Sequence, residues 1–158
     1  MIGYFGTVWI GLAIAVALAT RRSVPFAVLL TASSVWTADL LALAIKAGVE
    51  RPRPSASVPE ADPLMSAGGW SFPSGHAATA FAGAVALTYL WRRGAPLFFL
   101  LAAAIAFSRV YVGVHYPGDV LAGAALGTLV GLAWAAALRL PRRSAEAPRQ
   151  SGSGRPAG

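Results

Sequence analysis

Five apolar runs divide this chain, and no other feature narrows its possible folds as much. They lie at about residues 2–20, 23–47, 73–91, 95–114 and 119–138. A helix needs roughly 17–25 apolar residues to cross the hydrocarbon core of a bilayer, because each residue rises only ~1.5 Å. Five such runs in 158 residues leave little sequence for a water-soluble core. The charge content agrees, since only 12% of residues are Asp, Glu, Lys or Arg, about half the share in soluble domains. The expectation is an all-α, polytopic membrane helix bundle of about five transmembrane helices, occupying residues 1–140.

A net charge of +7 first suggests nucleic acid, but the placement of the arginines points to a bilayer instead. Arg21 and Arg22 follow the first run, Arg92 and Arg93 the third, and Arg139, Arg142 and Arg143 the fifth. With five spans these positions share one side of the membrane, and the positive-inside rule makes that side cytoplasmic. The N-terminus is then outside and the C-terminus inside, as in a multi-pass protein of the cell membrane. Ala15-Val16-Ala17 in the first run resembles a signal-peptide cleavage site. A signal peptide carries a basic segment before its apolar run, whereas here the arginines come after it, so an uncleaved span is expected. Residues 141–158 lack aromatic and branched aliphatic side chains, which predicts a disordered basic cytoplasmic tail with affinity for anionic lipid. The absence of cysteine excludes disulfides, iron–sulfur ligation and a thiol nucleophile.

One connection is long, from about Gly48 to Phe72, and the Tyr111–Gly118 turn falls on the same, external side. Lys46, Arg51, Arg53, Ser74, His76, Arg109, His115 and Asp119 therefore gather at one membrane face. Ionisable residues at span ends are functional candidates because lipid makes them costly. Lys46 with R-P-R-P, taken alone, reads as a set of snorkelling interfacial cations, the usual fate of such residues. P-S-G-H opens the third run with Pro73 suited to a first helical turn, which leaves the amides of Ser74, Gly75 and His76 free. Gly75 lets an anion approach the backbone closely, so this start is either an anion site or an ordinary cap. Asp119, four residues after His115, can hold one imidazole nitrogen as the N–H donor and leave the other free, which makes a histidine a directed nucleophile or base. Taken alone, the pair is also read as a capping acid beside an interfacial histidine.

Three cations, an anion-binding helix start and two histidines converge from separate spans. Cations and free amides suit a phosphoryl group, whose transfer is mostly positioning and charge stabilisation. One histidine can attack phosphorus and the other can protonate the leaving oxygen, which points to cleavage of a phosphate at the membrane surface.

These residues also carry a resemblance. The sequence resembles the type-2 phosphatidic acid phosphatase (lipid phosphatase and haloperoxidase) family, with its motifs K-x6-R-P, P-S-G-H and S-R-x5-H-x3-D. They are present as Lys46 with Arg53-Pro54, Pro73-Ser74-Gly75-His76, and Ser108-Arg109 with His115 and Asp119. The resemblance implies His115 as nucleophile, Asp119 as its orienting acid and His76 as general acid. It implies Lys46, Arg53, Ser74, Gly75 and Arg109 as phosphate-binding residues, and neither a metal nor any other cofactor. Arg51-Pro52 offers a second R-P pair, and only the family's spacing selects Arg53. Family members commonly have six spans, against five runs here.

The implied substrate is a lipid phosphate: phosphatidate, phosphatidylglycerophosphate, a polyprenyl phosphate or diphosphate, or a phosphorylated polyprenyl-sugar carrier. Two other readings use the same residues. A zinc-dependent membrane hydrolase would ligate metal through His76, His115 and Asp119, although three nearby cations would repel it. A non-catalytic lipid-phosphate carrier would use the cations without turnover, which leaves both histidines unexplained. Outside the motifs, Asp39 shares a helical face with Lys46 seven residues on and is expected to point into the bundle. Gly123, Gly127 and Gly131 recur every four residues along the fifth run. Such spacing serves close packing within the bundle or a homodimer.

Overall fold

The computed structural model describes residues 3–57 and 68–138, and among these the regular elements are all helical. The tail expected at 141–158, with Arg139, Arg142 and Arg143, lies outside the described residues. Five long helices follow the apolar runs closely: α1 (Gly3–Ala19), α2 (Val24–Val49), α4 (Gly75–Leu90), α5 (Ala95–Tyr111) and α6 (Pro117–Ala137). A single-turn helix, α3 (Pro54–Ser57), and one 3-10 turn, Arg92–Gly94, complete the set. Helix α6, α5 taken together with the 3-10 turn before it, and α2 taken together with the short segment after it have both the length and the hydropathy of a membrane span. Helices α1 and α4 are shorter, at 17 and 16 residues.

The helix ends have local causes. Proline within the first turn of α2, α5 and α6 starts each where a missing N–H costs nothing. Helix α2 stops at Glu50, which takes a left-handed conformation (φ 51°) while its N–H still bonds the Lys46 carbonyl. The prolines that follow cannot donate to a continuing helix. After α5, Gly113 adopts φ +75°, a value L side chains seldom tolerate, and this turns the chain tightly into α6.

Helix α4 is the centre of the bundle and packs against α1, α2, α5 and α6. Its sequence, GHAATAFAGAVALTYL, is dominated by small residues that let neighbouring backbones come close. The glycines of α6 complete this packing. A Cβ on Gly123 or Gly127 would run into the backbone of Ser74 or Ala78, and one on Gly131 would meet Val85. Of the two uses expected for that stripe, packing within the bundle is the one realised. Gly83 receives the Trp9 ring of α1 in the same way.

Helix α5 is peripheral: it buries only Phe98, Ala102 and Ala106, one residue per turn, and turns Leu97, Leu100 and Phe107 outward. Large apolar side chains exposed this widely suit lipid rather than water. The hydroxyls in the helices are mostly satisfied locally. Thr20, Ser34, Thr79, Ser108 and Thr128 each donate to a carbonyl three or four residues back, and Trp134 Nε1 donates to Thr37 Oγ1 at 3.1 Å, tying α6 to α2.

Candidate active site

The chain runs up α2, down α4, up α5 and down α6, so one end of the bundle collects the end of α2, the start of α4, the end of α5 and the start of α6. All eight residues implied by the motifs lie there. Arg21, Arg22, Arg92 and Arg93 mark the opposite end.

Asp119 anchors the cluster and is fully buried. Its Oδ1 accepts from Arg51 Nη1 at 2.8 Å, and its Oδ2 accepts from the Tyr116 N–H at 3.0 Å and from the Ser71 hydroxyl. Its carbonyl accepts the Ser74 N–H at 2.9 Å, a main-chain tie between the starts of α6 and α4. Arg51 also lies over the Tyr116 ring, 4.2 Å from its centre.

His115 is 5% exposed. Its N–H and that of Val114 both donate to the Arg109 carbonyl at 3.2 Å. Ring atom Nε2 lies 3.4 Å from Arg53 Nη1, and Nδ1 lies 3.4 Å from Ser71 Oγ and 3.6 Å from Asp119 Oδ2. A guanidinium can only donate, so Nε2 presents its lone pair to Arg53 and the ring proton resides on Nδ1. Burial pushes the imidazole pKa below its ordinary value, and Arg53 and Lys46 act in the same direction while Asp119 opposes them. The combination favours a neutral ring with Nε2 unprotonated.

The two cations of the K-x6-R-P motif are held by main chain. Arg53 donates from Nε to the Gly69 carbonyl (3.1 Å), from Nη2 to Gly68 (3.0 Å) and from Nη1 to Val114 (2.8 Å). Lys46 Nζ donates to the carbonyls of Trp70 and Ser71 at 2.9 and 3.1 Å. Lys46 is therefore a tether for the segment before P-S-G-H as well as a charge. Arg109 Nε donates to Ser108 Oγ at 3.1 Å. His76, half-buried in the first turn of α4, has Arg109, Lys46 and Arg53 as its electrostatic neighbours.

The structure corrects part of the expected anion cradle. Pro73 does not enter the helix; it follows a cis Phe72–Pro73 bond, and α4 begins at Gly75. The Ser74 amide is not free, because it donates to the Asp119 carbonyl. The Ser74 side chain is fully buried and caps the helix, accepting from the Ala77 N–H at 3.5 Å. Gly75 remains half-exposed at the helix start. Asp39 points into the bundle as expected, with Oδ1 3.5 Å from where a Cβ on Gly75 would lie.

The two R-P arginines divide: Arg51 takes Asp119 and Arg53 takes the His115 ring. Ser71, Tyr116 and the Arg51 contact were not singled out from the sequence, where 48 residues separate Ser71 from Asp119 and 68 separate Arg51 from it. The His115–Asp119 spacing was the available signal, and a fully buried carboxylate calls for more partners than one imidazole. Among the described residues, no three His, Cys, Asp or Glu side chains form a group able to hold a metal ion.

Comparison with known proteins gives a consistent picture. The family profile described as the PAP2 superfamily matches residues 26–143. The chain is 36% identical over 125 residues to decaprenylphosphoryl-5-phosphoribose phosphatase of Mycobacterium tuberculosis, covering 78% of this chain and 67% of that protein. It is 46% identical over 66 residues to lipid A 4'-phosphatase of Bacteroides thetaiotaomicron, which is 40% of this chain but only 29% of that one. The fold is similar to the crystal structure of a transmembrane PAP2-type phosphatidylglycerolphosphate phosphatase from Bacillus subtilis. The TM-score is 0.61 at 27% identity, over 85% of this chain and 69% of that one.

Proposed function

This chain belongs to the PAP2 superfamily, and we propose on that footing that it is an integral membrane phosphatase cleaving a lipid-borne phosphate through a phosphohistidine, without a metal. The observation that carries the reading is the His115 ring, nearly buried, with Nδ1 turned toward Ser71 and Asp119 and Nε2 turned toward Arg53.

In the first step His115 Nε2 attacks phosphorus as the bond to the lipid oxygen breaks, and His76 gives that oxygen its proton. In the second, His76 takes a proton from water, the water oxygen attacks phosphorus, and the P–N bond breaks to release inorganic phosphate. Lys46, Arg53, Arg109 and the backbone at Gly75 hold the phosphoryl oxygens. Ser74 contributes as the cap that fixes the first turn of α4. The substrate class is that of the relatives, a phosphate on a polyprenyl carrier, a glycerolipid or a lipid A-like lipid. The site faces the exterior, because Arg21, Arg22, Arg92 and Arg93 lie at the other end.

Purified protein in detergent micelles should release inorganic phosphate from at least one of these lipids in the presence of EDTA, forming an acid-labile phosphoprotein. Binding without release would make it a carrier. Activity abolished by EDTA and restored by zinc would make it a metallohydrolase. A reporter active only in the cytoplasm should work after Arg143 and fail near Glu60; the reverse pattern would invert the orientation.

A further inference from the structure

We propose that the Ser71 hydroxyl is a positioning member of the nucleophile unit, standing between His115 and Asp119 and carrying the contact that their i, i+4 spacing would assign to those two alone. This rests on the phosphohistidine reading above.

The direct approach of His115 Nδ1 to Asp119 Oδ2 is 3.6 Å, too long for a hydrogen bond. Ser71 Oγ touches both groups, donating to Oδ2 and lying 3.4 Å from Nδ1. A hydroxyl has one proton, and a carboxylate accepts but never donates. The Ser71 proton is therefore spent on Asp119, and its lone pairs face Nδ1, which must carry the hydrogen. Arg53 on the far side of the ring demands the same tautomer independently, because it can only donate to Nε2.

The hydroxyl is held in place from its own backbone. The Ser71 N–H donates to the Arg51 carbonyl at 2.8 Å and its carbonyl accepts from Lys46 Nζ. Arg51 also fixes the other carboxylate oxygen of Asp119. Arg51 and Ser71, joined by that main-chain bond, thus grip Asp119 from two sides, and Ser71 is fully buried, so water does not compete. When Nε2 bonds phosphorus the ring becomes cationic and Nδ1–H becomes a stronger donor. A hydroxyl polarised by a carboxylate accepts from that donor more strongly than an unpolarised one would.

The test measures Ser71→Ala and Ser71→Cys on a lipid monoester, with kcat and KM determined separately and kcat/KM followed against pH. Both variants should lose about 10–100-fold in kcat, the scale of one charge-assisted hydrogen bond, with KM little changed. Cysteine refills the space but replaces the hydroxyl poorly, so it controls for a cavity and for misfolding of the alanine variant. Because the hydroxyl stabilises the protonated ring, its removal should also move the acidic limb of the profile to lower pH. Full activity in Ser71→Cys, a loss confined to KM, or an unmoved limb would each overturn the proposal. His115→Ala run in parallel separates the two levels. If it keeps turnover, the phosphohistidine reading itself fails; if it is inactive while Ser71→Ala matches the parent, only the role of Ser71 fails.

Discussion

The two histidines occupy differently built regions of the same bundle end. His115 sits in the α5–α6 turn, where its N–H is held by Arg109 and both ring nitrogens face named partners at 5% exposure. His76 sits in the first turn of α4, half-buried, with Arg109, Lys46 and Arg53 bearing on its charge. The difference suits the division of labour proposed for them. A nucleophile gains from being fixed in one tautomer and one direction, because misalignment is costly at the moment of attack. A proton carrier must meet a departing oxygen in one step and a water in the next, which calls for access more than rigidity.

Removing each histidine is the hardest test of that contrast. His115→Ala should lower turnover by roughly 10⁵–10⁶-fold, the scale of deleting a covalent nucleophile, and equally for every leaving group. Residual activity that varied with leaving group would erase the distinction between the two regions. His76→Ala should cost less and unevenly. On a lipid monoester, whose alkoxide needs a proton, the fall should be about 10²–10⁴-fold; on a nitrophenyl phosphate it should be much smaller. Equal losses on both substrates, with no phosphoenzyme accumulating, would remove His76 from the role of acid.

The smallest effect concerns pH. The His115 pKa lies below the ordinary histidine value, so its unprotonated form persists as pH falls past the point where a free histidine would protonate. The acidic limb of kcat/KM, which reports the free enzyme, should accordingly lie below about pH 6.5. Arg53 is one cause of the lowering, so Arg53→Gln should move that limb to higher pH even as activity drops. A limb that stays in place would assign it to a group other than His115.

Much of this was legible in the sequence, and the limits have physical causes. Runs expected at about 95–114 and 119–138 became α5 at Ala95–Tyr111 and α6 at Pro117–Ala137, because hydrophobic length is a direct readout of a span. Which helix would be central was less visible. A span is apolar toward lipid and toward its neighbours alike, so period alone does not tell one face from the other. Small residues carried that information, in GHAATAFAGAVALTYL and in the α6 glycines. At the site, motif spacing brought Lys46, Arg53, His76, Arg109, His115 and Asp119 to one end, as found. It missed Ser71 and the Arg51–Asp119 pair because both depend on how a loop folds over a helix start. It also overstated the free amides at Ser74, whose N–H is taken by a carbonyl 45 positions further along.

The seam between α4 and α6 has a consequence for which substitutions the protein can accept. Gly123, Gly127 and Gly131 bear no side chain and belong to none of the motifs, yet they set how far apart the two histidine-bearing segments stand. A single methyl at Gly127 would need room now filled by the Ala78 main chain, which can yield only if one whole helix slides. Since a displacement of ~1 Å can cost a hundredfold in rate, the seam works as a spacing gauge for the chemistry at its top. Mutational intolerance should therefore run down the middle of the membrane along three glycines, well away from the charged residues where a search for function would begin.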